Sequence, residues 1–195
     1  PRANCPSRAA AGLSQGPIRA LASRDNGRNW TTLGEVPLSG GVVNANLHEP
    51  HAIELKGGGL LGVLRAQHDG GHTSCPRFGL LKTFSRDGGR TWTPAEDMGI
   101  YGSPPHLTRH PSGAIVCVYG FRDLDRGMEP GKHGQRAVVS SDEGATRSDP
   151  MILRDDGPTC DLGYPATAVL PDGSLFTAYY QQAAAGEKTS ILYTR

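Results

Sequence analysis

Apolar residues in this chain fall in short runs, each closed by a cluster of Gly, Pro, Asp or Ser. The run from His51 to Leu55 meets a turn at Lys56–Gly59 and is followed by a second run from Leu60 to Arg65. The same shape returns as His106–Arg109, a turn at His110–Gly113, and Ala114–Tyr119. It returns once more as Ala166–Leu170, a turn at Pro171–Gly173, and Ser174–Tyr179. Short runs rich in β-branched and aromatic residues on either side of a glycine turn predict antiparallel hairpins. Further strands are predicted at Ile18–Ala22, Thr31–Val36, Gly79–Phe84 and Ile191–Thr194.

Between the hairpins lies a second repeating unit. Ser85, Asp87, Gly89 and Trp92 have the spacing Ser-x-Asp-x-Gly-x-x-Trp once the middle glycines are aligned, and Ser23, Asp25, Gly27 and Trp30 repeat it. Ser140, Asp142 and Gly144 give a third copy in which Arg147 replaces the tryptophan. An Asp that accepts turn amides, a glycine free to take positive φ and an aromatic that anchors the following strand together staple a turn. Both tryptophans are therefore expected to be buried beside their turns, with Arg147 reaching solvent or a carboxylate. The units begin at residues 23, 85 and 140, which are 62 and 55 apart, while the hairpin turns end at 59, 113 and 173, which are 54 and 60 apart. Two patterns alternating in phase at this period predict a β-propeller with four-stranded antiparallel blades. On this reading residues 18–37 are half a blade, 49–98 and 105–154 are whole blades, and 164–195 opens another, about three blades in all. Residues 1–17, without periodicity, are expected to form an irregular lead-in to a partial propeller domain over 18–195.

Composition agrees with an all-β, turn-rich chain: 27 of 195 residues are Gly and 15 are Pro. With 20 basic and 19 acidic residues the formal charge is +1, so no global field recruits nucleic acid, and no apolar run is long enough for a membrane helix. Cys5, Cys75, Cys117 and Cys160 lack metal-type spacing and are expected to be unpaired thiols; no metal or cofactor is expected, and the compartment stays open.

Antiparallel connectivity sorts candidate chemistry by edge. The stapled turns and hairpin turns all fall on one edge of the sheets. Residues just before the first strand of a blade, at the end of the second and at the start of the third all fall on the other. That second edge collects His48, Glu49, His51, His106, Asp161 and Tyr164, with Arg65, Arg122, Arg77 and Arg136. A carboxylate, a phenol and several guanidiniums on one rim make it the candidate active face.

The Ser-x-Asp-x-Gly-x-x-Trp unit resembles the Asp-box, or BNR repeat, of sialidases and related propellers, and the resemblance extends over roughly residues 20–195. Glu49 with Arg65, Gln135-Arg136 before the third box, and Asp161 to Tyr164-Pro165 resemble, in that order, segments that carry functional residues in sialidases. It implies a six-bladed parent of which this chain is the C-terminal half, an expectation consistent with a first residue, Pro1, that is not an initiator Met. It further implies a retaining exo-sialidase in which Tyr164 is the nucleophile, Glu49 its base, and Arg65 and Arg136 grip the substrate carboxylate. Arg122 competes with Arg136 for its role, and His51 and Asp161 would line the pocket. A sialoside carries a carboxylate beside its anomeric carbon, so a neutral phenol avoids the repulsion that a carboxylate nucleophile would meet. The family's early Arg and its acid/base Asp have no counterpart here. The implied partners are sialylated or other acidic glycans. A non-catalytic glycan-binding propeller and a glycosidase or lyase for another acidic sugar are the alternatives, since Asp-boxes staple turns in such proteins too.

Overall fold

The computed structural model describes residues 16–38, 42, 46–67, 78–122 and 132–195. Most of the expected lead-in, together with Cys5, Cys75 and Arg77, lies outside the described residues. Twelve strands are described: β1 (Arg19–Ala22), β2 (Thr31–Glu35), β3 (Leu47–Glu54), β4 (Leu60–Gln67), β5 (Phe78–Ser85), β6 (Glu96–Arg109), β7 (Ile115–Phe121), β8 (His133–Ser140), β9 (Met151–Gly157), β10 (Gly163–Val169), β11 (Leu175–Gln182) and β12 (Thr189–Thr194). Every pairing is antiparallel between chain neighbours. β1–β2 form a two-stranded sheet, β10–β12 a three-stranded one, and β3 to β9 run as one ribbon of seven. The ribbon is two blades joined through β6, whose first half pairs with β5 and whose second half pairs with β7. At the changeover stands Gly102, where a Cβ would lie 2.3 Å from the Gly120 carbonyl oxygen, so only glycine lets the strand cross there.

Alternation along the strands builds the packing between blades. Leu61 and Val63 of β4 and Leu80 of β5 meet Leu107, Ile115, Cys117, Tyr119 and Val138 of the next blade. The opposite face of β4 and β5, through Leu64, Ala66 and Leu81, packs on Val36 and Leu47. Val116, Val118 and Ala137 carry the stacking on toward Leu175. No helix long and apolar enough to cross a membrane occurs among the described residues.

All three stapled turns close in the same way. Ser23, Ser85 and Ser140 each donate a hydroxyl hydrogen bond to Asp25, Asp87 and Asp142 at 2.8, 2.9 and 2.8 Å. The backbone N–H of Gly27, Gly89 and Gly144 donates to the same serine oxygens at 2.8 Å. Each aspartate also accepts from the backbone and side chain of the residue four further on, Asn29, Thr91 or Thr146, and these hydrogen bonds, with the smaller help of the serine hydroxyl, hold it at about 2, well below the usual carboxylate range. The tryptophans differ from expectation. Trp92 lies over Gly62 and packs on the cluster around Val36 and Leu64, but Trp30 is 61% exposed. Both indoles donate to a turn carbonyl, of Gly27 or Gly89, at 3.0 Å. The difference is the sheet beneath them: Trp92 has a four-stranded blade and a neighbour to pack on, whereas the described part of Trp30's sheet is two strands wide. Arg147 is exposed, as expected, but donates to the carbonyls of Met98 and Ser148 rather than to a carboxylate. The cysteine expectation also needs correction, because Cys160 is disulfide-bonded, while Cys117 is free and buried.

Two histidines tie the inner strands together. His51 Nδ1 accepts the Leu107 backbone N–H from the next blade, and His106 Nδ1 accepts that of Thr167 from the blade after, each at 3.3 Å. Their rings touch, with centroids 4.5 Å apart. Burial depresses both imidazoles below the ordinary 6.5, and His106 is lowered further by His51. Both are therefore neutral acceptors at neutral pH. The unfolded chain binds protons on these residues first as the pH falls. Their contribution is complete above about 6.5 and is lost as the pH drops toward the lowered folded values. The thermal midpoint should thus fall between pH 7 and 5, and a His51→Asn/His106→Asn variant, whose amide oxygen accepts without titrating, should show a flatter profile. An equally steep fall in the variant would refute the assignment. Equilibrium denaturation should also separate the tryptophans: Trp92→Ala should cost about 3 kcal/mol, and Trp30→Ala less than about 1 kcal/mol.

Candidate active site

The rim opposite the stapled turns is shaped by bulges. Each inner strand breaks register there, between His48 and His51 in β3, between Gly102 and Pro105 in β6, and between Gly163 and Ala166 in β10. Glu49 and Tyr164 occupy the first and third bulges, each followed by a proline, with φ of 44° and 50°. A left-handed conformation costs a residue with a Cβ about 1–2 kcal/mol, so two such residues on one rim mark a place where side-chain direction outweighs backbone comfort.

The two side chains meet. Tyr164 Oη donates to Glu49 Oε1. The second oxygen of Glu49 accepts from Arg65 Nη1 at 2.6 Å, and that nitrogen also stands 3.4 Å from Tyr164 Oη. Arg65 Nη2 donates to Gln67 Oε1 at 2.5 Å, which fixes the plane of the guanidinium. Exposure grades across the group: the Arg65 side chain is 11% exposed and Glu49 32%, whereas Tyr164 presents 51% of its surface. Burial, then the hydrogen bond and negative charge of Glu49, raise the Tyr164 phenol above its ordinary 10, so it is protonated at neutral pH and points its proton at a base.

Arg122, at the end of β7, is buried beside this pair. Burial, then the neighbouring Arg65 guanidinium, lower it to about 10, against the opposing pull of Tyr180, Tyr164 and Glu49. It still carries its charge at neutral pH, so two cations and one carboxylate surround the phenol. Asp161 is engaged one step away: it accepts from Tyr180 Oη at 2.8 Å, and the Tyr180 ring lies 5.8 Å from that of Tyr164. Burial and Asp161 push the Tyr180 phenol up to about 12.

Two of the residues expected on the rim are engaged elsewhere. Arg136 lies 4.6 Å over the Phe121 ring and donates to the carbonyls of Gln135 and Arg154. His51 has its Nδ1 committed to the Leu107 N–H. Conversely, Tyr180 and Gln67 were not singled out from the sequence. The signal for Tyr180 was available, since it stands opposite Gly163 as Arg65 stands opposite His48. Among the described residues no three His, Cys, Asp or Glu side chains are grouped to hold a metal ion.

No family model and no curated protein matches the chain. Solved structures do. A protein of unknown function from Dyadobacter fermentans superposes with a TM-score of 0.71 at 29% identity, over 92% of this chain and 46% of that one. An α-L-arabinanase from Penicillium chrysogenum, solved with arabinobiose, gives 0.61 at 19% identity over 91% of this chain and 55% of its own. The NanB sialidase from Streptococcus pneumoniae gives 0.58 at 18% identity over 87% and 25%. The chain thus spans about half or less of the length of these structures. What they share with it is the fold, an all-β partial propeller of curled antiparallel blades found in glycosidases that act on different sugars.

Proposed function

We propose that this rim is a retaining, sialidase-type glycosidase site for an acidic sugar, with Tyr164 as nucleophile and Glu49 as its base. The hydrogen bond from the Tyr164 phenol to Glu49, between two guanidiniums, carries the reading. A neutral furanoside such as arabinose offers guanidinium groups no carboxylate to grip, whereas a sugar carboxylate next to the anomeric carbon is the bidentate partner that Arg geometry fits. Arg65 and Arg122 form the carboxylate clamp in this proposal, Tyr180 and Asp161 the adjoining wall, and Arg136 and His51 the supporting scaffold.

In the first step Tyr164 Oη bonds to the anomeric carbon, its proton passes to Glu49, and the glycosidic C–O bond breaks. The departing oxygen takes a proton from an acid, for which the sialidase resemblance gives no counterpart in this sequence. In the second step water replaces the tyrosyl oxygen at the anomeric carbon and gives a proton back to the base left by that acid, while Glu49 returns its proton to Tyr164. Burial of Arg65 and Arg122 strengthens their attraction for the substrate carboxylate relative to exposed cations.

The test combines binding with turnover. N-acetylneuraminic acid should bind the chain, Arg122→Ala should abolish that binding, and arabinobiose should not compete. Where a fluorogenic sialoside is hydrolysed, Glu49→Gln should reduce turnover by about 10²–10⁴-fold, and Tyr164→Phe by at least as much. Ultraviolet titration adds a readout independent of turnover: Glu49→Gln should lower the Tyr164 phenol pKa, because the carboxylate opposes ionisation. Binding with no turnover under any condition would favour a glycan-binding propeller, and preference for a neutral furanoside would overturn the proposal.

A further inference from the structure

The third stapled turn keeps its serine, aspartate and glycine hydrogen bonds but has Arg147 where the second has Trp92. In the second turn the indole fills a seat between blades: it lies over Gly62, where an added Cβ would come 3.2 Å from the ring, and donates to the Gly89 carbonyl. The ladders place the corresponding seat in the next blade. Leu60 pairs with Ser85 and Ile115 with Ser140, so Cys117 corresponds to Gly62, and Gly144 to Gly89.

That seat is empty of protein. A cavity of about 150 Å³ lies there, walled by Leu61, Val63, Met98, Leu107, Cys117 and Val138, with Arg147 and Lys82 at its mouth. The Arg147 side chain is turned outward to the Met98 carbonyl rather than folded into the space. The Gly144 carbonyl, counterpart of the one that accepts the Trp92 indole, instead accepts from Lys82 Nζ at 3.2 Å. The walls belong to two blades tied across the gap: Glu143 accepts the Lys56 backbone N–H at 2.9 Å, and Arg109, paired with both Glu143 oxygens at 2.8 Å, donates to the Glu54 carbonyl at 2.9 Å. The lining is mostly apolar, with Asp97, Ser140 and Thr146 beside Lys82 and Arg147 on the open side, and a mostly apolar space of this size has room for a small aromatic ring.

We propose that the cavity beneath Arg147 is a binding site for a flat aromatic molecule of indole size and shape, separate from the rim that carries Tyr164. The class of ligand follows from the repeat, since the matching space one blade earlier is filled by an indole ring. An N–H on the ligand edge would share the Gly144 carbonyl with Lys82, and its ring would lie against the Cys117 thiol, which burial pushes up to about 12 and so keeps neutral.

Indole itself is the probe. It should raise the thermal midpoint of the protein and slow alkylation of Cys117, followed on the Cys117 peptide by mass spectrometry. An Arg147→Trp/Cys117→Gly variant supplies the missing ring and the room for it, and should weaken indole binding by more than about tenfold. Val138→Phe fills the same space from another wall and should do likewise, so the test survives failure of either variant to fold. Unchanged Cys117 reactivity at saturating indole, or undiminished binding in a folded cavity-filled variant, would overturn the proposal.

Discussion

The bulge on each inner strand is the constraint from which the candidate site follows. An inner strand must keep its ladder with the next strand, and in a regular ladder successive side chains alternate between the two faces that pack against neighbouring blades. No position in such a strand aims along the rim. Breaking register between His48 and His51, and again between Gly163 and Ala166, frees one residue from that alternation. Glu49 and Tyr164 are those residues, and both adopt left-handed backbone. Their combined backbone cost is about 2–4 kcal/mol. Hydrogen bonds to charged groups contribute about 1.5–3 kcal/mol each, and the Tyr164–Glu49, Arg65–Glu49 and Arg65–Gln67 bonds exceed the cost. The cluster and the bulges stabilise one another.

Sequence periodicity revealed the scaffold because its determinants are local. Serine, aspartate, glycine and the Asn or Thr four residues after the aspartate close each stapled turn within seven residues, and the hairpins need only a glycine turn between apolar runs. The two edges then follow from antiparallel connectivity, which is why Glu49, Arg65 and Tyr164 could be assigned to one rim without coordinates. The choice between Arg122 and Arg136 could not be made in that way. Tyr119 pairs with Arg136, so Arg136 shares a face with Tyr119 and Phe121, whereas Arg122 falls one residue further on and faces β10. A single position in a period-two pattern decides which blade a guanidinium meets, and run boundaries read from sequence do not fix register so finely.

The remaining departures have the same origin in non-local structure. The exposure of Trp30 depends on how many strands lie beside its turn, and the Cys160 disulfide depends on a distance across the fold. His51 has the composition of a ligand-binding residue and the location of one. Its ring nitrogen is nevertheless taken by a backbone N–H of the following blade, a partner 56 residues away in sequence.

The two stapled turns at 85 and 140 indicate how a repeat accommodates the loss of its anchor. Trp92 requires glycine at 62, since any side chain there would press on the ring. Where the ring is absent, the matched position is Cys117, and a lysine from the preceding blade supplies the donor that the indole would have given. A ring tethered at 147 cannot shift away from Cys117 as a free molecule can, so restoring tryptophan alone would crowd that side chain and offset part of the gain from filling the cavity. Arg147, Cys117 and Lys82 act as one set, in which each residue makes sense only with the others. Such matching inside a single chain gives a physical reason why the seat persists as an open space between two rigid blades.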